Sequence, residues 1–383
     1  MNPNAEFDII VHGATGFTGR LVAEHLHSRY GSTGPVKWAM SGRSLDKLQQ
    51  VRAEIGADAP LIVADAADPA SLKAMVVRAK AVITTVGPYQ LYGEPLLAAC
   101  AAAGTDYLDL SGEPSWMAAM IPLYEAAAKA SGARILFSCG FDSTPFELGV
   151  FYTQRLARQH LGHPVPHISG RVRDMRGGLS GGTAASGRAT MAAIQKDPSL
   201  LAVLFNPFAL TPGFTGPEQP RGDKAKFDEN LGVEVGPFMM AAINTKNVHR
   251  SNALQGHAYG ADFTYDEMAI IQPGAQTEFP SLTGDDVPKP GEGPSKHERE
   301  TGYYDLVFVG VAADGKQVRG AVHGDKDPGY ASTSKLIAET AICLVHERAD
   351  VAGGIWVAGA ALGDTLIDRL QAHAGLTFTD ETV

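Results

Sequence analysis

The sequence predicts an α/β protein of two parts: a doubly wound parallel sheet, followed by a second, α+β domain that carries a mostly antiparallel sheet. Three observations carry this. From Phe7 to about Val150, short apolar strands alternate with Ala-rich stretches of 3.6-residue period, the pattern of a parallel sheet covered by helices. The first of these strands closes on a glycine-rich turn that opens a helix. After Val150 the alternation stops, and strand-like runs follow one another with prolines and glycines between them, which suits antiparallel pairing.

In chain order, the first part predicts strands at Phe7 to His12, Lys37 to Ser41, Leu61 to Ala64, Ala81 to Val86, Tyr107 to Asp109 and Arg134 to Ser138. Pro95 stands where a first-turn proline is tolerated, and Gly104 and Gly132 stop the helices that precede them. FYTQRLARQHLG, from Phe151, reads as one more helix. Strands are expected at Ile168 to Asp174, His257 to Tyr265 and Tyr304 to Ala312. The Pro-, Gly- and charge-rich stretch Leu282 to Glu300 reads as a disordered surface loop or a mobile lid. A long helix follows from Gly329 to about His346, then a Gly-rich break, then a last helix from Asp364 to Ala374. The expected division is 1–150, 151–328 and 329–383.

Bulk properties narrow the partners. The chain has 383 residues, 44% hydrophobic and 19% charged, enough to bury a core and more than one compact domain holds comfortably. A formal net charge of -10 argues against nucleic acid or an anionic membrane surface, both of which need a basic face. A small-molecule substrate is favoured. Cys100, Cys139 and Cys343 are far apart with no C-x-x-C pair, so neither a disulfide framework nor a zinc site is expected, and a reducing cytoplasm is. His160, His163 and His167 are separated by Pro164 and Pro166, which break the spacing a helical metal site requires. No metal is expected. The N-terminus shows no signal peptide, and no apolar run approaches the roughly 18 residues needed to span a bilayer.

The first strand runs into H-G-A-T-G-F-T-G-R, with Gly13, Gly16 and Gly19 spaced three apart ahead of a helix that begins near Phe17. This is a variant of the dinucleotide-binding fingerprint, and it marks the first part as a Rossmann domain. The glycines permit a tight turn, close approach of the backbone to a pyrophosphate and close helix–sheet packing, and the helix N-terminus favours the anion. Thr15 and Thr18 add hydroxyl donors.

The second strand decides between cofactors. An NAD site ends this strand with an acid for the ribose 2′-hydroxyl, whereas Ser41, Gly42, Arg43 and Ser44 stand here. An arginine suits a 2′-phosphate, so NADP(H) is expected, with Lys47 one turn on as a second cation. Asp65 and Ala66, at the end of the third strand, are candidates for the adenine, although Asp68 is the better cap for the helix that follows. Val86, Gly87 and Pro88 end the fourth strand, at the edge where a doubly wound sheet holds its ligand, and are expected to line the nicotinamide half.

The motifs G-A-T-G-F-T-G (13–19), S-G-R-S (41–44), V-G-P-Y-Q-L-Y-G-E-P (86–95), Y-L-D-L-S-G-E (107–113) and C-G-F-D-S-T-P (139–145) together resemble the saccharopine-dehydrogenase-like oxidoreductases, the bacterial trans-acting enoyl reductases among them. The second half is similar more loosely, through S-G-G-T at 180–183, G-P-S at 293–295 and the terminal helices. Gly112 and Gly140, inside these motifs, complete the set expected to touch the cofactor. The resemblance implies an NADPH-dependent reductase in which the C-terminal helices, 329–383, return to the Rossmann domain. Saccharopine chemistry requires cations to clamp several carboxylates, whereas this chain offers apolar tracts such as LLAVLFNPFAL at 200–210, which read equally as a lipid-facing wall or as ordinary core.

Three readings follow: an enoyl reductase acting on a lipid- or polyketide-like chain, a C–N dehydrogenase or reductase, and a non-catalytic NADPH-binding protein. Homodimerisation through the second domain is compatible with all three. Reduction of an activated double bond needs a donor for the anion that forms. Tyr89, directly after Gly87-Pro88, is the first candidate. Asp142 and Ser143, after the sixth strand, are the alternatives, and Glu113 is expected to orient the loop.

Overall fold

A computed structural model describes residues 5–178, 180–272, 288–289 and 291–383. The first half folds as β1 (Phe7–His12), α1 (Phe17–Tyr30), β2 (Trp38–Gly42), α2 (Leu45–Glu54), β3 (Leu61–Val63), α3 (Pro69–Val76) and β4 (Ala79–Thr84). It continues through α4 (Tyr89–Tyr92), α5 (Glu94–Ala103), β5 (Asp106–Leu108), α6 (Pro114–Ser131), β6 (Arg134–Leu136) and α7 (Thr144–Leu161). Strands β1 and β2 are buried along their whole length, as expected where helices cover both faces of a parallel sheet.

The second half runs β7 (His167–Arg176), α8 (Gly181–Lys196), α9 (Leu200–Phe205), β8 (Lys226–Asp228), β9 (Val233–Pro237), α10 (Ala241–Leu254), β10 (Thr264–Ile270), α11 (Lys296–Thr301), β11 (Tyr303–Val311) and β12 (Gln317–Gly324). A helical run from Pro328 to Glu347, with α12 (Thr333–Ile342) at its centre, then leads to β13 (Gly354–Trp356), α13 (Ala358–His373) and β14 (Leu376–Asp380).

Two seven-stranded sheets result. The first has the order β13-β6-β5-β4-β1-β2-β3 and is parallel throughout. Its strand order reverses between β1 and β4, which opens a crevice at their carboxyl ends. The second has the order β14-β12-β11-β7-β10-β9-β8, antiparallel except for the β7–β10 pair. The last segment of the chain supplies a strand to each sheet. Its helix α12 packs on α1, where the buried Glu339 carboxylate accepts from the Tyr30 hydroxyl at 2.8 Å and pairs with Arg369 at 2.8 Å and His25 at 2.7 Å. An ion pair this deep holds only because each lone pair finds a partner.

Several expectations are corrected. His257 to Tyr265 is not a strand: its first seven residues turn around Asn252, whose side chain accepts from Tyr259 N–H and donates to Gly260 C=O, and β10 begins only at Thr264. The glycine-rich stretch after Ser180 is helix α8, because the Ser180 hydroxyl caps the amides of Gly182 and Thr183. Of the stretch 282–300, residues 282–287 and 290 lie outside the described residues, and 296–301 are helical. Ser295 and Glu298 form a reciprocal capping box there. The last helix keeps its expected start at Asp364, because Gly363, φ 49°, interrupts the helical run that begins at Ala358. The three-residue strands β8 and β13 are too short for a period to be read.

Candidate active site

The three glycines of the first turn divide the work as their positions demand. Gly13 has φ +90°, and a Cβ there would lie 2.8 Å from the Thr85 and Val86 side chains. At Gly19 a Cβ would sit 2.2 Å from the Gly13 carbonyl oxygen, so helix α1 can approach β1 only with glycine at this position. Gly16 is different. It is exposed, and its Cβ would meet only the Gly13 carbonyl oxygen, at 3.3 Å. The space in front of it is open, and no side chain caps α1. Open space before uncapped helix amides is what an incoming pyrophosphate needs.

At the end of β2, Ser41 is buried and bonded to His12, Gly42 packs by Thr15, and Ser44 caps α2. Arg43 and Lys47 are exposed with no hydrogen-bond or ion-pair partner among the described residues, free to meet a phosphate. Asp65 spends one oxygen on the Ala67 amide at 2.9 Å, and Asp68 caps α3; Ala66 is half-buried beside them. These residues fit NADP(H).

Beyond the carboxyl ends of β4, β5 and β6 lies a cavity of about 390 Å³. Thr18, Gly87, Gly112 and Gly140 line its sheet side, and Met191, Leu204, Met239, Met240 and Ile243, from α8, α9 and the start of α10, line its far side. Phe17 stands at its rim, with Gly293 packed on the ring and Tyr330 edge-on to it at 5.3 Å. A larger groove of about 590 Å³ lies on the outer face between α3, α5 and α6, away from the strand ends. It meets none of the residues that fit the cofactor.

Glu113 holds the loop after β4. Its carboxylate accepts from the amides of Tyr89 at 3.0 Å and Gln90 at 2.8 Å, and from the Ser186 hydroxyl of α8 at 2.9 Å. Val86 and Pro88 flank Gly87 in that loop. The Tyr89 hydroxyl donates to the Thr84 carbonyl at 3.0 Å and accepts from the Leu110 amide at 3.1 Å, and its ring packs on Trp116. Both functions of the phenol are thereby committed to backbone, and burial raises its pKa further. Tyr89 braces the ends of β4 and β5. Ser143 points away from the cavity, its hydroxyl accepting from Asn247 of α10 at 2.8 Å.

Asp142 differs from both. It lines the cavity, and its Oδ1 is buried without a hydrogen-bond partner. Burial pushes its carboxyl up to about 7, because desolvation disfavours the charged form. Sequence reasoning missed Tyr330, whose hydroxyl accepts from the Ser180 amide and bonds the Thr183 hydroxyl at 2.8 Å. The only signal was the S-G-G-T motif, which carries Thr183 but not its partner. The tract 200–210 divides in two: Leu201 is 39% and Phe205 80% exposed on α9, whereas Phe208 and Leu210 are core.

This arrangement, a dinucleotide crevice faced across a cavity by α8, α9 and the start of α10, defines a nicotinamide-dependent oxidoreductase. Residues 9–136 match the family described as the saccharopine dehydrogenase NADP binding domain. The chain is 38% identical over 405 residues to the trans-acting enoyl reductase of Mycobacterium tuberculosis, covering 95% of this chain and 96% of that one. It is 35% identical over 412 residues to the trans-acting enoyl reductase of Mycobacterium leprae, covering 97% of each. Among solved structures, the saccharopine dehydrogenase (L-Glu forming) of Saccharomyces cerevisiae shares the fold, with a TM-score of 0.56 at 11% identity over 98% of this chain and all of that one. The chain belongs to the saccharopine-dehydrogenase-like family of NADP-dependent oxidoreductases, together with the trans-acting enoyl reductases. Among the described residues no helix is long and apolar enough to cross a membrane.

Proposed function

We propose that the protein reduces a C=C bond conjugated to a carbonyl in an apolar, lipid- or polyketide-like substrate. The observation that carries this reading is the composition of the cavity wall: among the described residues it holds no lysine, arginine or histidine, and its far side is built from Met191, Leu204, Met239, Met240 and Ile243. A saccharopine-like adduct brings several carboxylates, and burying them without cations costs far more than an apolar wall returns. An acyl chain meets no such penalty. The names of the mycobacterial relatives support the same chemistry.

When bound, NADPH supplies the hydride. Gly13, Thr15, Gly16, Phe17, Thr18 and Gly19 would hold its pyrophosphate, Arg43 and Lys47 its 2′-phosphate, and Gly87, Gly112 and Gly140 would leave room for the nicotinamide. On this reading residues 1–150 serve the cofactor, 151–328 enclose the substrate, and 329–383 tie the two together. The test follows NADPH oxidation with 2-enoyl thioesters of increasing chain length and with cyclic imines. Turnover of the enoyl substrates, improving with chain length, is the expected result. Turnover of imines alone would overturn it in favour of C–N chemistry, and tight NADPH binding without turnover of either would leave a non-catalytic binding protein.

A further inference from the structure

Among the described residues the buried carboxylates are, with one exception, satisfied. Asp106 pairs with Arg134. Asp109 accepts from two amides and the Tyr107 hydroxyl. Glu147 accepts from the Ala360 amide, Glu267 from Asn244 and Tyr265, and Asp327 from the amides of Tyr330 and Ala331. Asp142 alone combines a buried, unpartnered carboxyl oxygen with a place on the cavity wall. A buried acceptor in that position is stable when the group carries a proton or when an occupant of the cavity meets it.

Hydrogen counting marks a second group on the same wall. Tyr330 and Thr183 bring two hydroxyl protons. One is spent between them, at 2.8 Å, and the Ser180 amide donates to Tyr330 rather than accepting from it. The Ser180 hydroxyl also bonds Tyr330 but brings a proton of its own, so among the described residues one hydroxyl proton of the three is left over, and all three side chains line the cavity. The protein therefore presents a hydroxyl donor and a carboxyl group to one cavity, beside the Phe17–Thr18 entrance to the cofactor crevice.

We propose that the Tyr330–Thr183 hydroxyl pair hydrogen-bonds the substrate's carbonyl oxygen and that Asp142 delivers the proton that completes the reduction. This rests on the enoyl reading above. As hydride adds at the β-carbon, the C=C pair moves toward the carbonyl and leaves an enolate, whose oxygen the hydroxyl pair stabilises. The Asp142 O–H bond then breaks, a C–H bond forms at the α-carbon, and the carbonyl is restored. The C=C bond is reduced, NADPH is oxidised, and Asp142, left as carboxylate, recovers its proton from solvent. The groups facing Asp142 suit this role. Glu267, on β10, is itself raised to about 8, by burial first and by the Asp142 charge in part. Tyr330 is raised by burial, with Asp142 adding to it. Glu113 shares the cavity wall, and no cation among the described lining residues pins Asp142 as an anion.

Two measurements on the full chain test this. The first, independent of any substrate, is an infrared pH titration of the wild type against Asp142→Asn. A protonated-carboxyl band lost with a midpoint near pH 7, and missing in the variant, is expected; an Asp142 already ionised at pH 5 would overturn the proposal. The second uses the N-acetylcysteamine thioester of trans-2-dodecenoic acid as the probe. Asp142→Asn is expected to lower kcat by about 100-fold or more, and Tyr330→Phe to lower kcat/KM by roughly 10- to 100-fold, with NADPH affinity retained in both. If Asp142→Asn turns the thioester over within a few-fold of wild type, Asp142 falls and the enoyl reading stands. If the wild type reduces only cyclic imines, the enoyl reading falls and the infrared titration decides Asp142 alone.

Discussion

The two ends of the crevice are built on different principles. The proposed cofactor end is made of backbone and comes from consecutive residues: Gly13 to Gly19 in one turn and Ser41 to Ser44 in another, with Arg43 and Lys47 left exposed. The proposed substrate end is made of side chains and draws on Asp142, Thr183, Met240 and Tyr330, four positions far apart in the chain. A surface of exposed amides tolerates any ligand with the right phosphates. A side-chain cavity commits to one shape and one proton inventory.

The largest effect that would test this contrast is at Gly16. Gly16→Val should abolish NADPH binding while the protein stays folded, since in the free protein its Cβ meets only the Gly13 carbonyl oxygen, at 3.3 Å, but fills the space the pyrophosphate needs. Gly19→Ala is the control, because there the clash is with the Gly13 backbone and stability should fall. If Gly16→Val binds NADPH normally in a calorimetric titration, the phosphate site lies elsewhere.

Next in size, Arg43→Ala should cost NADPH on the order of 1.5–3 kcal/mol, about 10- to 150-fold in Kd, and leave NADH nearly unaffected. Equal loss for both cofactors would mean that Arg43 does not read the 2′-phosphate.

Tyr89→Phe sharpens the comparison from the other side. Removing the hydroxyl strands the Leu110 amide and the Thr84 carbonyl, so stability should fall by about 1–3 kcal/mol in denaturant unfolding while kcat changes less than the stability loss implies. A kcat loss at unchanged stability would return Tyr89 to the chemistry.

The smallest effect concerns pH. Asp142 folds with its carboxyl at about 7 against an ordinary 3.8. Between these values the unfolded chain has released a proton that the folded chain keeps, so this group's contribution to stability falls as pH rises from about 4 to 7. Asp142→Asn removes the effect. Relative to wild type, its melting temperature should therefore gain about 2–4 °C between pH 5 and pH 8, and a difference that shrinks over that range would contradict the assignment.

The reading of the first half from sequence was close because its signals are local. A fully buried strand is a run of consecutive apolar residues, and Gly13, Gly16 and Gly19 act within one turn of chain. Asp68 was recognisable as a cap because a cap bonds an amide two residues on. The second half failed where local pattern and tertiary demand part company. The stretch from His257 alternates like a strand but turns around Asn252, and the glycines after Ser180 read as a loop but form a capped helix.

By itself, then, the sequence determined the doubly wound sheet, the position of the phosphate turn and the preference for NADP(H), since each depends on residues a few positions apart and on the backbone freedom they permit. Only the tertiary structure decided which of Tyr89, Asp142 and Ser143 keeps a free functional group at the cavity. That outcome turns on hydrogen bonds to Thr84, Leu110 and Asn247, and on a tyrosine nearly 190 residues downstream that packing alone brings alongside. A side chain's chemistry is set by which of its atoms find partners, and partners distant in the chain leave no trace in local sequence.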